Sequence, residues 1–241
     1  MRNDKFDIKK ILKKETSKRS FEENLLFCIL SFTIFLFFPG LLYEILHGFI
    51  KYELACDIMS RILCIGLITL FYYKDFIKEA KELKKEPGNK LAQSLIWYFI
   101  CLGVMMVSNL ILLIIFKGIS TNETEVRTML FDNPFPMLVM ISILAPVMEE
   151  MVFRKSLAPL FKNKYLFALT SGLIFGLGHL MVDFVSPGFR LLRLLYVIPY
   201  GSLGFGFALM DKNCKSTFPS IIMHCLHNTF TALLILSQGG M

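Results

Sequence analysis

The sequence predicts an all-α protein: a polytopic transmembrane helical bundle of about seven spans, with its N-terminus in the cytoplasm. Three observations predict it. Of the 241 residues, 55% are hydrophobic, 24 are Phe, and the mean hydropathy is +0.59. A soluble domain of this length carries more charge and fewer long apolar runs. Several of the runs reach the ~20 residues that cross about 30 Å of hydrocarbon, and Lys and Arg gather beside them.

Taken in order, residues 1–20 are basic and polar, with Lys9, Lys10, Lys13, Lys14, Lys18 and Arg19 among them. They read as a cytoplasmic arm with some amphipathic helix, ahead of a transmembrane domain over 21–241. The apolar runs then fall at about 24–46, 54–73, 91–116, 135–154, 165–184, 191–210 and 218–237. The first run starts late and is of full length, so no cleavable signal peptide is expected. The segments 74–90, 155–164 and 211–217 are rich in Lys and lie inside by the positive-inside rule. The segments 47–53 and 117–134, the turn 185–190 and the C-terminus are poorer in Lys and Arg and lie outside. Lys51, Lys117, Arg127 and Arg190 run against this pattern.

Charge and cysteine usage narrow the function classes. The net charge of +7 is concentrated beside the spans, where it meets anionic head groups, so the bilayer is expected as a partner and nucleic acid is not. The six cysteines show no CxxC pairing, and five fall within apolar runs, where thiols serve as small hydrophobes. Neither a disulfide framework nor a cysteine zinc site is expected. The reading is a multi-pass protein of the cell membrane, and the sequence fixes no oligomeric state.

The last four spans carry groups that lipid rejects. Glu149, Glu150 and Arg154 lie on one, His179 and Asp183 on the next, and His224, His227 and Asn228 on the last. An ionised group at mid-membrane costs about 2.5–3.5 kcal/mol, so these groups must face one another or a wet cavity. Glu150 and Arg154 are at i,i+4 and can pair, which leaves Glu149 about 100° away to point elsewhere. His179 and Asp183 share that spacing, so the carboxylate can hold the imidazole tautomer. His224 and Asn228 share a face as well. Each group alone has a plainer reading: an interfacial cluster next to Lys155, a bundle histidine, a rim aspartate. Three helices supplying such groups jointly point to a site. Gly172 and Gly176, then Gly201, Gly204 and Gly206, add small-xxx-small spacing that allows close helix approach.

Glu149-Glu150-x-x-x-Arg154, then Phe175-x-x-x-His179, then His224-x-x-x-Asn228 resembles the signature of the CAAX protease and bacteriocin-processing family, also called Abi. The resemblance covers roughly 140–230 and implies an intramembrane endopeptidase with its catalytic core in about 135–237. It implies that Glu149 activates water with His179 as its partner, and that Glu150 and Arg154 support them. It assigns oxyanion stabilisation to His224 and Asn228, and leaves His227 outside the motif. The substrate class it implies is a peptide or leader precursor such as a bacteriocin or signal peptide, or a CAAX-type protein tail. No cofactor is expected, although Glu and two His are also zinc-ligand types, so a metal mechanism stays open. The competing readings are a non-catalytic immunity or regulatory scaffold of the same fold, and a proton-coupled transporter. The transporter predicts repeat symmetry, which the sequence lacks.

Overall fold

The computed structural model describes residues 7–83, 88–185 and 190–239, and these are helical with no strand among them. The helices are α1 (Ile8–Leu12), α2 (Phe21–His47), α3 (Glu53–Leu83), α4 (Gly88–Phe116), α5 (Thr121–Asp132), α6 (Pro134–Val139), α7 (Ala145–Glu150), α8 (Lys164–Gly178), α9 (Met181–Val185), α10 (Val197–Cys214) and α11 (Phe218–Ser237). α6 and α7 belong to one continuous membrane-length segment, Pro134–Leu160. Six helices among the described residues are long and apolar enough to cross a membrane: α2, α3, α4, Pro134–Leu160, Leu191–Cys214 and α11. The chain is a multi-pass membrane bundle.

The seventh expected span takes another form. The run 165–184 is not one helix. α8 is a 15-residue helix that ends at Gly178, and a short α9 follows. The segment 117–134, expected as an outer loop, contains α5. α3 and α4 also extend into the basic segment expected as the 74–90 loop, of which residues 84–87 lie outside the described residues. So do 186–189 of the outer turn.

Local chemistry sets the ends. Ser20 caps α2 reciprocally with Glu23: its hydroxyl accepts the Glu23 N–H at 3.2 Å, and the Glu23 carboxylate accepts the Ser20 N–H at 2.9 Å. Asn163 caps α8 by accepting from Tyr165 N and Leu166 N at 2.9 and 3.1 Å. α10 ends where Lys215 turns left-handed at φ 52.

α8 and α10 meet through glycine, as the sequence predicts. A Cβ on Gly172 would come 2.6 Å from the Gly201 carbonyl oxygen, and one on Gly176 would come 2.8 Å from that of Val197. α10 also packs on α4, and α2 pairs with α3. Pro134–Leu160 lies between these groups and touches α2, α3, α8, α10 and α11. Its Phe153 is packed edge-on at 5.4 Å by Phe32, Phe35 and Phe175.

The described part of the basic arm, from residue 7, is docked. Asp75 on α3 accepts the Thr16 N–H at 3.1 Å and its hydroxyl at 2.8 Å, and the Arg19 guanidinium lies 4.5 Å over Phe27. Bonds from Lys78 and then Lys18 hold the Glu15 carboxyl below its usual range. Behind the arm, Lys155 pairs with Glu79 and lies 3.8 Å from Asp75. Glu79 accepts the Thr217 N–H at 2.8 Å, and the Thr217 hydroxyl donates to Asp211 at 2.8 Å. These bonds tie α3, the central segment and the α10–α11 turn together at the end expected to be cytoplasmic.

Candidate active site

Glu149 and Glu150 sit between two widened, π-helical turns, Met140–Leu144 and Met151–Ser156. Such turns displace backbone carbonyls from their usual partners and recur at functional sites. Here side chains from neighbouring helices take up the carbonyls. Asn228 on α11 donates its amide to the Ile141 oxygen at 3.0 Å, and Ser171 on α8 donates its hydroxyl to that of Phe153 at 2.8 Å.

Glu150 is completely buried, and so is Arg154 one turn later, with Nε 3.2 Å from Oε2. The guanidinium lies 4.7 Å from the Phe175 ring centre, 5.7 Å from that of Phe207 and 5.9 Å from that of Phe153. It donates to the Gly204 carbonyl at 3.3 Å. The buried charge is therefore held by a counter-ion and by aromatic faces. This is the structural pair that the i,i+4 spacing predicts.

The other Glu150 oxygen accepts from Nδ1 of His224 at 2.9 Å. The far nitrogen of that ring, Nε2, lies 3.7 Å from Glu149 Oε2, so His224 sits between the two carboxylates. Its ring stacks on Phe207 with centres 4.6 Å apart. Glu149 keeps 16% side-chain exposure against none for Glu150, as expected for the residue that turns away from the pair. His179 completes the group. Its ring lies 4.4 Å from that of Phe175, which also meets the His224 ring at 5.8 Å, and it stacks on Tyr200 at 4.4 Å.

Asp183 is placed elsewhere. It does not hold the His179 tautomer: its Oδ1 accepts from Thr121 Oγ1 at 2.6 Å and from Arg193 at 2.7 Å. The helix breaks between Gly178 and Met181, so the i,i+4 relation has no helix to act through. The Phe175 carbonyl, 3.0 Å from His179 Nδ1, takes that role. A carbonyl only accepts, so Nδ1 carries the hydrogen. His227, outside the motif, meets the Tyr98 hydroxyl at 3.0 Å through Nδ1. Tyr200 and the two widened turns escaped the sequence reading.

Among the described residues no three His, Cys, Asp or Glu side chains gather closely enough to hold a metal ion.

Fold and site define a polytopic helical membrane protein with a buried glutamate–histidine centre shared by three helices. Residues 131–230 match the family model described as type II CAAX prenyl endopeptidase Rce1-like. The chain is also 27% identical over 188 residues to the "Putative membrane peptidase YdiL" of Bacillus subtilis (strain 168), covering 74% of this chain and 70% of that relative. No solved structure matches. Both comparisons support the motif resemblance: over residues 131–230 the chain is similar to CAAX-type membrane endopeptidases, and over 188 residues to a membrane protein named as a peptidase.

Proposed function

We propose that the chain is an intramembrane glutamic endopeptidase in which Glu149 and His179 activate water. The observation that carries this is the pairing of Glu149 with His224 across 3.7 Å beside His179, the Phe175 ring packing on both imidazoles and each imidazole being already committed at Nδ1. In neutral His179 the hydrogen on Nδ1 leaves Nε2 a lone pair that can orient a water. Glu149 takes the proton from that water as hydroxide attacks the scissile carbonyl carbon. His224 presents Nε2 on the Glu149 side of its ring, the position from which it would donate to the developing oxyanion. Asn228 uses one amide hydrogen on Ile141 and keeps the second for the same oxyanion. Collapse of the intermediate breaks the C–N bond, and Glu149 returns its proton to the leaving amine.

The substrate that this reading favours is a membrane-delivered peptide or leader precursor, with a CAAX-type tail as the other candidate. The family model's description as a prenyl endopeptidase supports the second, and the relative's name specifies neither. The test is single-turnover cleavage, in liposomes, of a leader-bearing precursor and of a farnesylated CAAX peptide. Glu149→Gln is expected to lower the rate by about 10²–10⁴-fold while the protein stays folded and inserted. No cleavage of any peptide by wild type would favour a scaffold. Activity lost to a chelator and restored by zinc would favour Glu149, His179 and His224 as ligands.

A further inference from the structure

α8 ends at Gly178, so His179 occupies the helix cap and lacks a following helical turn to brace its ring. One contact fixes Nδ1 on the Phe175 carbonyl, but a single hydrogen bond lets a ring rock about it. The second contact is the face of Tyr200, with ring planes only 20° apart. Tyr200 stands on α10, and its hydroxyl is itself tied down. Ser120 Oγ lies 2.8 Å from it, and the Asn122 amide donates to it at 3.4 Å. Ser120 is buried and caps α5 by accepting the Glu123 N–H at 3.2 Å. Between these two anchors, Thr121 donates to Asp183, and Arg193 reaches both Thr121 and Asp183 at 2.7 Å. The start of α5 is thus pinned to α9, just past His179, and to the ring stacked on His179.

We propose that Tyr200 is a positioning residue for His179, with Ser120 and Asn122 setting the height of its ring. The connection between α4 and α5 then governs the aim of the imidazole. This rests on the reading of His179 as the water-orienting group. A displacement of about 1 Å in such a group can cost 10²-fold in rate, so a ring anchored from outside the motif matters to turnover.

The experiment compares Tyr200→Leu, Tyr200→Phe and Ser120→Ala in the full chain, with two readouts. One is peptide cleavage resolved into kcat and KM. The other, independent of activity, is the rate at which diethyl pyrocarbonate modifies His179, read by peptide mass spectrometry. Tyr200→Leu is expected to lower kcat roughly ten- to a hundred-fold with KM unchanged, and to raise His179 labelling several-fold. Tyr200→Phe retains the face and recovers most of the rate. Ser120→Ala, which leaves the Asn122 bond in place, loses no more kcat than Tyr200→Phe, and adding it to Tyr200→Phe lowers kcat no further, as for residues acting through one contact. In a His179→Ala background Tyr200→Leu costs nothing more. Wild-type kcat and labelling in a folded Tyr200→Leu would overturn the proposal, as would an equal loss with and without His179. Should Tyr200→Leu not fold, a larger kcat loss in the Ser120→Ala, Tyr200→Phe double variant than in either single variant would overturn it. If His179→Ala cleaves at the wild-type rate, the peptidase reading of the site fails separately, and labelling alone decides whether Tyr200 holds the ring.

Discussion

α4 and Pro134–Leu160 are both long enough to cross a membrane, and they are opposites in what they bury. The most apolar window of α4 has a mean hydropathy of 2.7 and is 11% buried, whereas that of Pro134–Leu160 has 1.7 and is 44% buried. The less hydrophobic helix sits at the centre. In a soluble protein the order would be reversed, because apolar side chains are driven inward away from water. Against lipid tails Ile and Leu lose nothing by facing outward, so Phe99, Val107 and Ile114 of α4 remain exposed on the bundle. Charged groups carry the penalty instead, and Glu150 and Arg154 need the interior with each other in it.

Breaking the central pair is the most severe test of that contrast. Glu150→Gln or Arg154→Ala leaves one buried charge without its counter-ion and is expected to cost about 3–5 kcal/mol. The check is thermal unfolding in detergent, where Glu150→Gln combined with Arg154→Met should recover part of the loss. Single variants as stable as wild type would show that the interior does not depend on this pair. Next comes Asn228→Ala, expected to lower turnover by roughly 10²–10³-fold, about 2.7–4 kcal/mol, with substrate affinity nearly unchanged. His227→Ala, which removes only a partner of Tyr98, should tolerate the change far better. Glycines give the finest comparison. Gly172→Ala puts a methyl against the α10 backbone and should cost about 1–3 kcal/mol. Gly103→Ala in α4 meets nothing within 4 Å and should be neutral or gain up to about 1 kcal/mol. Equal effects at the two positions would remove the distinction between a packed and a lipid-facing helix.

Much of the bundle was legible because membrane length is a one-dimensional property. The expected starts 24, 54, 91, 135 and 165 each fall within three residues of the start of α2, α3, α4, α6 and α8, and 218–237 coincides with α11. The Glu150–Arg154 pair was legible for a related reason, since i,i+4 spacing inside one helix needs no tertiary knowledge. The break after Gly178 was hidden because Leu180, Met181 and Val182 carry the apolar pattern straight through it. With the break went the supposed His179–Asp183 partnership. α5 was missed under its charge, although Ser120 followed by Glu123 is a helix-start signal. Asp75 and Glu79 were counted as loop residues among lysines. Only the folded chain shows that Lys155 and Thr217 come from distant segments to meet them.

The widened turns on either side of the two glutamates carry a consequence for how this segment can vary. A π-bulge holds one residue more than the α-helical turn it replaces, and one residue corresponds to about 100° of rotation. Glu149 and Glu150 are chemically identical neighbours separated by that same angle. Which of them meets Nδ1 of His224 and which lies toward its Nε2 is therefore encoded by backbone phase, with nothing in the side chains to tell them apart. Losing one residue from Met140–Leu144 would re-index every position that follows, with no functional group changed. The segment is protected against substitution at many sites and exposed to a change in its length at one.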